Sequence, residues 1–480
     1  MYRCNLKLVT MTNWRPDLTG SGPLYQRLAD SIEADIDRGI IGAGAKLPPQ
    51  RDLAYDIGAT VGTVGRAYQL LRERGLVSGE VGRGTFVLAQ HAEGKPELHA
   101  PDIGMEGTRG VDVPRGKLRF DSTAAPDVGQ GAIVADVLSR AAQDYPHEIS
   151  SYTRDFPDRW HEAGARWLSR NAFAPTADAV VPTLGTHAAV MAAIAALTTP
   201  GDYVAFEHLT YSQISRSAGL IGRRVALVAS DDEGIDPADF ERVCAQKHPR
   251  MIFLMPTAQN PTLVTLSASR REAVARIARE YNVVLIEDDL YGHLTDDPTP
   301  LLAEYAPERT IVAGGLSKSV AAGIRGGWLA CPPAYRHRIR VAHKMITGGM
   351  PFLLAEVNSR LVLSGQAAQI RMSAIAEIQA RIAIVRDTLA GFSFKSHDNV
   401  PFVWLTLPDP WLSGTFKNAC LEHGVLIDDE DEFKAGRSEQ VFHGVRFGIS
   451  QPRHHRDVAE GVAVIRRLLD EGRAGYDSFS

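Results

Sequence analysis

The sequence predicts an α/β protein in two unlike parts: a small three-helix unit closed by a hairpin, and a large unit built on a mostly parallel sheet. Three observations predict it. Residues 24 to 88 carry short amphipathic helical patterns ended by glycines, then two extended pieces separated by glycines. From about Leu118 onward, fully apolar runs of strand length alternate with helical stretches, the pattern of strands covered on both faces. Between the two, residues 90–117 lose all apolar period while Gly and Pro recur, which reads as a linker.

Composition bounds the function classes. The 480 residues are 44% hydrophobic and 23% charged, enough for two or three soluble domains with sizeable cores. Cys4, Cys244, Cys331 and Cys420 are scattered, with no Cys-x-x-Cys pair. That argues against a disulfide framework or a thiolate metal site and fits a reducing cytosol. No signal-like or membrane-length apolar run is found, so a cytoplasmic protein without membrane or metal is expected. The net charge of −5 does not advertise nucleic-acid binding, so any such contact must come from local placement.

The small unit is read in order. Leu24, Leu28, Ile32 and Ile36 recur at steps of four, an amphipathic helix ended by Gly39 and Gly42. Pro48-Pro49 opens a short helix over 50–57, stopped by Gly58. A third helix runs from about Gly62 to Arg74, with Val64, Tyr68 and Leu71 on one face and Gly75 as its cap. Leu76-Val77 and Thr85-Phe86-Val87-Leu88 form the hairpin around Gly79, Gly82 and Gly84. The small N-terminal residues of the third helix, Thr60, Gly62 and Thr63, allow close approach to base edges in a major groove. Arg51 and Arg66 can hold phosphates or a guanine edge, and the hairpin glycines, Gly82 among them, let the backbone and Arg83 reach the minor groove or its phosphates. Residues 13–90 balance nine basic against nine acidic residues, so tight DNA binding calls for a dimer.

In the large unit the strand candidates are 180–184, 203–206, 251–255, 283–286 and 310–312, with helices over 187–197 and 268–280. A smaller C-terminal part follows, with strands at 402–405 and 444–449. Ligands of an open α/β sheet gather at the carboxyl ends of its strands. Polar motifs stand at those ends: Gly185-Thr186-His187, then Thr257-Ala258-Gln259-Asn260-Pro261, then Asp288-Asp289-Leu290-Tyr291, then Ser317-Lys318. Exposed amides and a hydroxyl at a helix N-terminus suit a phosphate. A lysine there can form a Schiff base with an aldehyde, and Arg325, seven residues on, can hold a phosphate by two parallel hydrogen bonds.

This series, over roughly 118–470, resembles the fold-type-I aminotransferases, which bind pyridoxal 5'-phosphate. The resemblance implies that Lys318 forms the Schiff base and that Asp288 faces the pyridine nitrogen. Asn260 and Tyr291 would bond the ring's phenolic oxygen, and Tyr211 would stack on the ring. Gly185, Thr186, His187, Ser317 and Arg325 would complete the cofactor site, and Arg446 would take a ligand carboxylate. Gly315 stands where many relatives carry Ser or Thr, which implies a weaker grip on the phosphate. Residues 47–54 (Leu-Pro-Pro-Gln-Arg-Asp-Leu-Ala), 75–77 and 82–87 resemble the winged helix-turn-helix of the GntR family.

Together the halves resemble the MocR subfamily of GntR regulators: a winged helix-turn-helix over 13–89, a linker over 90–117, and an aminotransferase-like domain with a smaller α+β part over 118–480. The resemblance implies a PLP-dependent transcriptional regulator that binds a double-stranded DNA operator. It further implies a homodimer with swapped DNA-binding domains, and an effector that is an amino compound or PLP itself. The alternative is a catalytically active aminotransferase with an auxiliary DNA-binding domain.

Overall fold

The computed structural model describes residues 14–20, 22–42, 44–80, 84–88, 116–438 and 440–479. The expected linker lies outside the described residues except for its last two, and so do Gly82 and Arg83. Contacts divide the chain into two units, Met1–Gly104 and Met105–Ser480.

The first unit forms as its periodicity requires. The helix Leu24–Asp37 buries Leu28, Ile32 and Ile36, and Gly39 leaves it at φ +73. Helix Gln50–Asp56 follows Pro49, and helix Val61–Glu73 starts at Thr60, whose hydroxyl accepts from the Thr63 amide at 3.2 Å. Val64, Tyr68 and Leu71 are buried against Leu28 and Ile32 in one core. Each such side chain contributes roughly 1.5–3 kcal/mol. Strands Val77–Glu80 and Gly84–Val87 pair antiparallel, with Val77 opposite Val87, and both valines enter the same core.

The second unit is built on a seven-stranded sheet. Its order is Val180–Thr183, Gly327–Ala330, Thr310–Gly315, Val284–Asp288, Met251–Leu254, Tyr203–Glu207, Arg224–Val228. Gly327–Ala330 runs antiparallel to both its neighbours, and the remaining pairs are parallel. Alternate residues divide between two cores. Val204, Phe206, Met251, Phe253 and Ile286 pack with the helix Gly185–Leu197. Ala205, Ile252, Leu254 and Leu285 pack with helices Pro237–Lys247 and Ala268–Glu280 on the other face. That is why these strands read as apolar throughout. Two further strands, which the sequence pattern did not mark, complete the sheet: Arg224–Val228, which opens on an exposed arginine, and Gly327–Ala330, which opens on a glycine.

The smaller part is a four-stranded antiparallel sheet in the order Phe394–Ser396, Phe402–Thr406, Gly444–Gly448, Asp428–Asp429. Helices Gln366–Thr388, Ser413–Glu422 and His455–Phe479 cover it around one apolar cluster. The short strand Leu118–Arg119 pairs with Val425–Leu426, so the chain enters this unit through the smaller part.

One polar contact ties the third helix of the first unit to the segment that leads into the second. The buried Tyr68 hydroxyl donates to the Pro48 carbonyl at 2.8 Å, and burial pushes its pKa above the usual phenol range. Tyr68→Phe should therefore lower the stability of this unit by about 1 kcal/mol, read as an earlier unfolding midpoint in urea. An unchanged midpoint would show that this bond does not hold the helix to that segment.

Candidate cofactor site and DNA-facing residues

Gly185, Thr186, His187, Tyr211, Asn260, Asp288, Tyr291, Ser317, Lys318, Arg325 and Arg446 line one cavity of about 210 Å³. The large sheet brings most of them together, because parallel strands put their carboxyl ends on one edge, while Arg446 comes from the strand Gly444–Gly448 of the smaller sheet.

One end of the cavity suits an anion. Gly185 has φ +81 and starts the helix Gly185–Leu197, whose first-turn amides have no partner within the helix. The Thr186 hydroxyl is buried here without a hydrogen-bond partner. The Arg325 guanidinium packs close over Gly185, so that a Cβ on the glycine would lie 3.8 Å from its Cζ. Burial, with Arg325 beside it, holds the His187 imidazole below its ordinary range and therefore neutral at pH 7. The His187 ring meets Tyr211 edge-on at 6.2 Å. Gly315 has a steric reason that its sequence position did not show. A Cβ there would lie 2.6 Å from the Gly326 carbonyl and 2.8 Å from the Thr186 hydroxyl. A hydroxyl-bearing residue has no room at 315, and Thr186 fills that place.

The other end holds a buried acid. Asp288 is 3% exposed, and burial pushes its carboxyl up to about 7. A hydrogen bond from the Leu290 amide at 3.1 Å and the nearby Lys318 oppose that rise, while Asp289 adds to it. Lys318 Nζ donates to Thr123 Oγ1 at 2.8 Å, and the Tyr291 hydroxyl donates to the same oxygen at 3.0 Å. Thr123 is a site residue that the sequence did not reveal, together with its neighbours Ser122 and Ala124 on the cavity wall. They lie in irregular chain between Leu118–Arg119 and the helix Gln130–Asp144. Their one local signal was a hydroxyl pair ahead of Pro126. Arg446 donates through Nη1 to Asn260 Oδ1 at 2.8 Å and is paired through Nη2 with Asp428.

A second layer holds the loops. Arg170 grips the Asp289 carboxylate with two bonds of 2.8 and 2.9 Å and reaches Thr257 Oγ1 at 3.2 Å. The fully buried Arg271 donates to Thr257 Oγ1 at 3.0 Å and to the Pro256 and Pro300 carbonyls at 3.1 and 3.0 Å.

These residues fit pyridoxal phosphate. The unpartnered Thr186 hydroxyl, the helix amides and Arg325 suit its phosphate. Asp288 is a buried acid suited to a protonated ring nitrogen, and Lys318 stands between the two ends.

In the first unit Arg51, Thr60 and Arg66 are exposed and Thr63 is half-buried. The Thr60 and Thr63 hydroxyls meet at 2.9 Å at the helix start. The Arg66 guanidinium lies 4.6 Å over the Tyr25 ring. Asp30 and Glu33, acids of the first helix, are paired with Arg74.

The Asp288 shift gives a pH-dependent expectation. Its carboxyl is harder to ionise when folded, so it costs stability. The cost is absent below the ordinary range near 3.8, grows as pH rises toward about 7, and is constant above. Cofactor-free Asp288→Asn should therefore be more stable than the parent by on the order of 1–3 kcal/mol at about pH 8, with the gain shrinking toward about pH 4. Urea unfolding across that range measures it; a gain independent of pH would show that Asp288 does not titrate there.

Comparison with known proteins places both units. Residues 122–435 match the family of class I and II aminotransferases, and residues 24–87 match the gntR family of bacterial regulatory proteins. The uncharacterized HTH-type transcriptional regulator YdeF of Bacillus subtilis is 28% identical over 461 residues, covering 96% of this chain and 97% of its own. The vitamin B6 salvage pathway transcriptional repressor PtsJ of Salmonella typhimurium is 29% identical over 321 residues, 67% of this chain and 70% of its own. Among solved structures, an archaeal alanine:glyoxylate aminotransferase superposes with a TM-score of 0.67 at 22% identity, covering 74% of this chain and 91% of its own. Kynurenine aminotransferase of Pyrococcus horikoshii gives the same TM-score, 0.67, also at 22% identity. The chain therefore belongs to the class I and II aminotransferase family and carries a gntR-type helix-turn-helix ahead of that domain, which is the MocR architecture.

Proposed function

We propose that this protein is a DNA-binding transcriptional regulator whose larger unit holds pyridoxal phosphate on Lys318 and senses an amino compound there. The observation that carries the reading is one cavity that gathers Lys318, Asp288, Arg325 and the unpartnered Thr186 hydroxyl, in a chain that also has a gntR-type unit. Likeness to relatives named as transcriptional regulators supports it.

Each residue has a task. Arg325, Thr186, Ser317 and the amides of Gly185 to His187 anchor the phosphate. Asp288 keeps the ring nitrogen protonated, Asn260 and Tyr291 hold the phenolic oxygen, and Tyr211 covers the ring. When bound, the cofactor supplies an electrophilic carbon and an electron-withdrawing ring. Thr123 orients the Lys318 amine through its 2.8 Å bond. An incoming amine acts on DNA binding only so far as it binds two arrangements of the protein unequally. Arg51, Thr60, Thr63, Arg66, Gly82 and Arg83 are the proposed DNA contacts. A homodimer with swapped DNA-binding domains supplies the affinity that a charge-balanced unit lacks. Tyr152, 90% exposed and outside its own chain's cavity, is free to approach a partner subunit.

A second reading, an active aminotransferase, is favoured by one observation: Lys318, Asp288, Asn260 and Tyr291 all line the cavity, as turnover would require. Assay with amino-acid and keto-acid pairs separates the two, since steady product formation belongs only to the enzyme.

Borohydride reduction of the PLP-loaded protein should place a covalent adduct on Lys318, absent in Lys318→Ala. An adduct mapped to another lysine removes Lys318 from the proposed role. In DNA-binding titrations, Arg51→Ala and Arg66→Ala should each weaken affinity. Each should flatten the salt dependence by about one unit of slope per lost phosphate contact. Unaltered affinity and slope in both variants would place the DNA-contacting face elsewhere.

A further inference from the structure

The arginine expected to meet a ligand carboxylate already has an acid beside it. Arg446 and Asp428 are direct register partners on adjacent antiparallel strands, so their side chains share one face of the sheet. They are 1% and 2% exposed and form an ion pair. The other terminal nitrogen of Arg446 is also engaged, donating to Asn260 Oδ1 at 2.8 Å. The guanidinium lies 4.6 Å over the Phe433 ring and 5.5 Å over the Phe402 ring. Strand register, two aromatic rings and two polar partners hold this group in place.

A ligand carboxylate is gripped firmly when two parallel N–H groups of a guanidinium are offered to it. Here Nη1 gives one of its N–H groups to Asn260 and Nη2 is paired with Asp428, so the charge of the guanidinium is already met by a buried carboxylate. An arriving carboxylate would share one cation with a buried carboxylate, or displace it and leave Asp428 uncompensated. Either costs on the order of a hundredfold or more in affinity. An amine without that carboxylate meets no such cost. The cavity that holds Lys318 is also lined by the apolar Met255, Leu290 and Ala322 and by Thr123 and Tyr291.

We infer that the ligand of this pocket is a primary amine that carries no carboxylate on the carbon bearing its nitrogen, and that Asp428 sets this preference. The inference rests on the reading of Lys318 as the cofactor lysine. Lys318 leaves as the amine nitrogen arrives. One carbon–nitrogen double bond breaks as another forms, and the two protons of the incoming amine pass to Lys318. No oxidant or reductant is needed.

Ethylamine and L-alanine differ only by the carboxylate and test the inference on the full-length, PLP-loaded protein. Half-saturating concentrations, expressed as unprotonated amine, are read from the change in visible absorption. Ethylamine should saturate at a clearly lower concentration than alanine, and equal values overturn the inference. In Asp428→Asn the alanine value should fall at least about tenfold, while that of ethylamine stays within about twofold. Cofactor-free protein gives an independent reading: millimolar maleate should raise the melting temperature of Asp428→Asn and leave that of the parent unchanged. Saturation of the parent by alanine at the lower concentration overturns the inference, as does a variant that responds like the parent, or no response to either amine. The parent comparison stands even if the variant fails to fold. Absence of any reducible adduct on Lys318 would instead bring down the proposed function itself.

Discussion

The site depends on two buried arginines beneath the loops at the sheet edge. Arg170 holds Asp289 by two bonds, and Arg271 holds the backbone after Leu254 and the carbonyl of Pro300. Both reach the Thr257 hydroxyl, which joins the two loops into one network. Asp289 is the neighbour of Asp288, and Asn260 and Tyr291 stand on the same two loops. Removing one partner of such a pair would leave a buried charge uncompensated, at about 3–5 kcal/mol. The groups facing the cavity are thus placed by groups that never reach it.

The cavity itself is an electrostatic gradient. Arg325 and a helix N-terminus make one end positive, and Asp288 makes the other end acidic. Lys318 lies between, tethered by Thr123, which also receives the Tyr291 hydroxyl. The smaller part of the unit contributes a different kind of group. Arg446 arrives already neutralised by Asp428, so it adds shape and a bond to Asn260 more than free positive charge. Thr123 follows closely on Leu118–Arg119, which pairs with Val425–Leu426 of the smaller part. The Arg446 side chain also reaches toward the Asp121 carbonyl, at 3.5 Å.

The first unit shows a parallel economy of charge. Its acids balance its bases in number, but Asp30 and Glu33 are paired with Arg74, while Arg51 and Arg66 remain exposed. What the unit presents to a partner is therefore set by which arginines are already engaged. A charge count does not report that.

Local pattern determined much of this protein. Apolar spacing placed the first and third helices of the first unit, and Pro48-Pro49 and Gly58 bounded the second, within a residue or two of Leu24–Asp37, Val61–Glu73 and Gln50–Asp56. Continuous apolar runs marked five strands of the large sheet, because burial on both faces removes polar alternation. The motifs at the strand ends named Gly185, Thr186, His187, Asn260, Asp288, Tyr291, Ser317 and Lys318, which share one cavity because parallel strands deliver their ends to one edge. Only the tertiary structure decided the rest. The places of strands Arg224–Val228 and Gly327–Ala330 in the sheet are set by pairing with their neighbours, which short apolar runs in the sequence did not specify. Thr123 reaches Lys318 across 195 positions, and Asp428 meets Arg446 through strand register. Gly315 is glycine because Gly326 and Thr186 leave no space. Sequence periodicity reports which face a residue occupies, whereas these contacts depend on which distant segment arrives at that face.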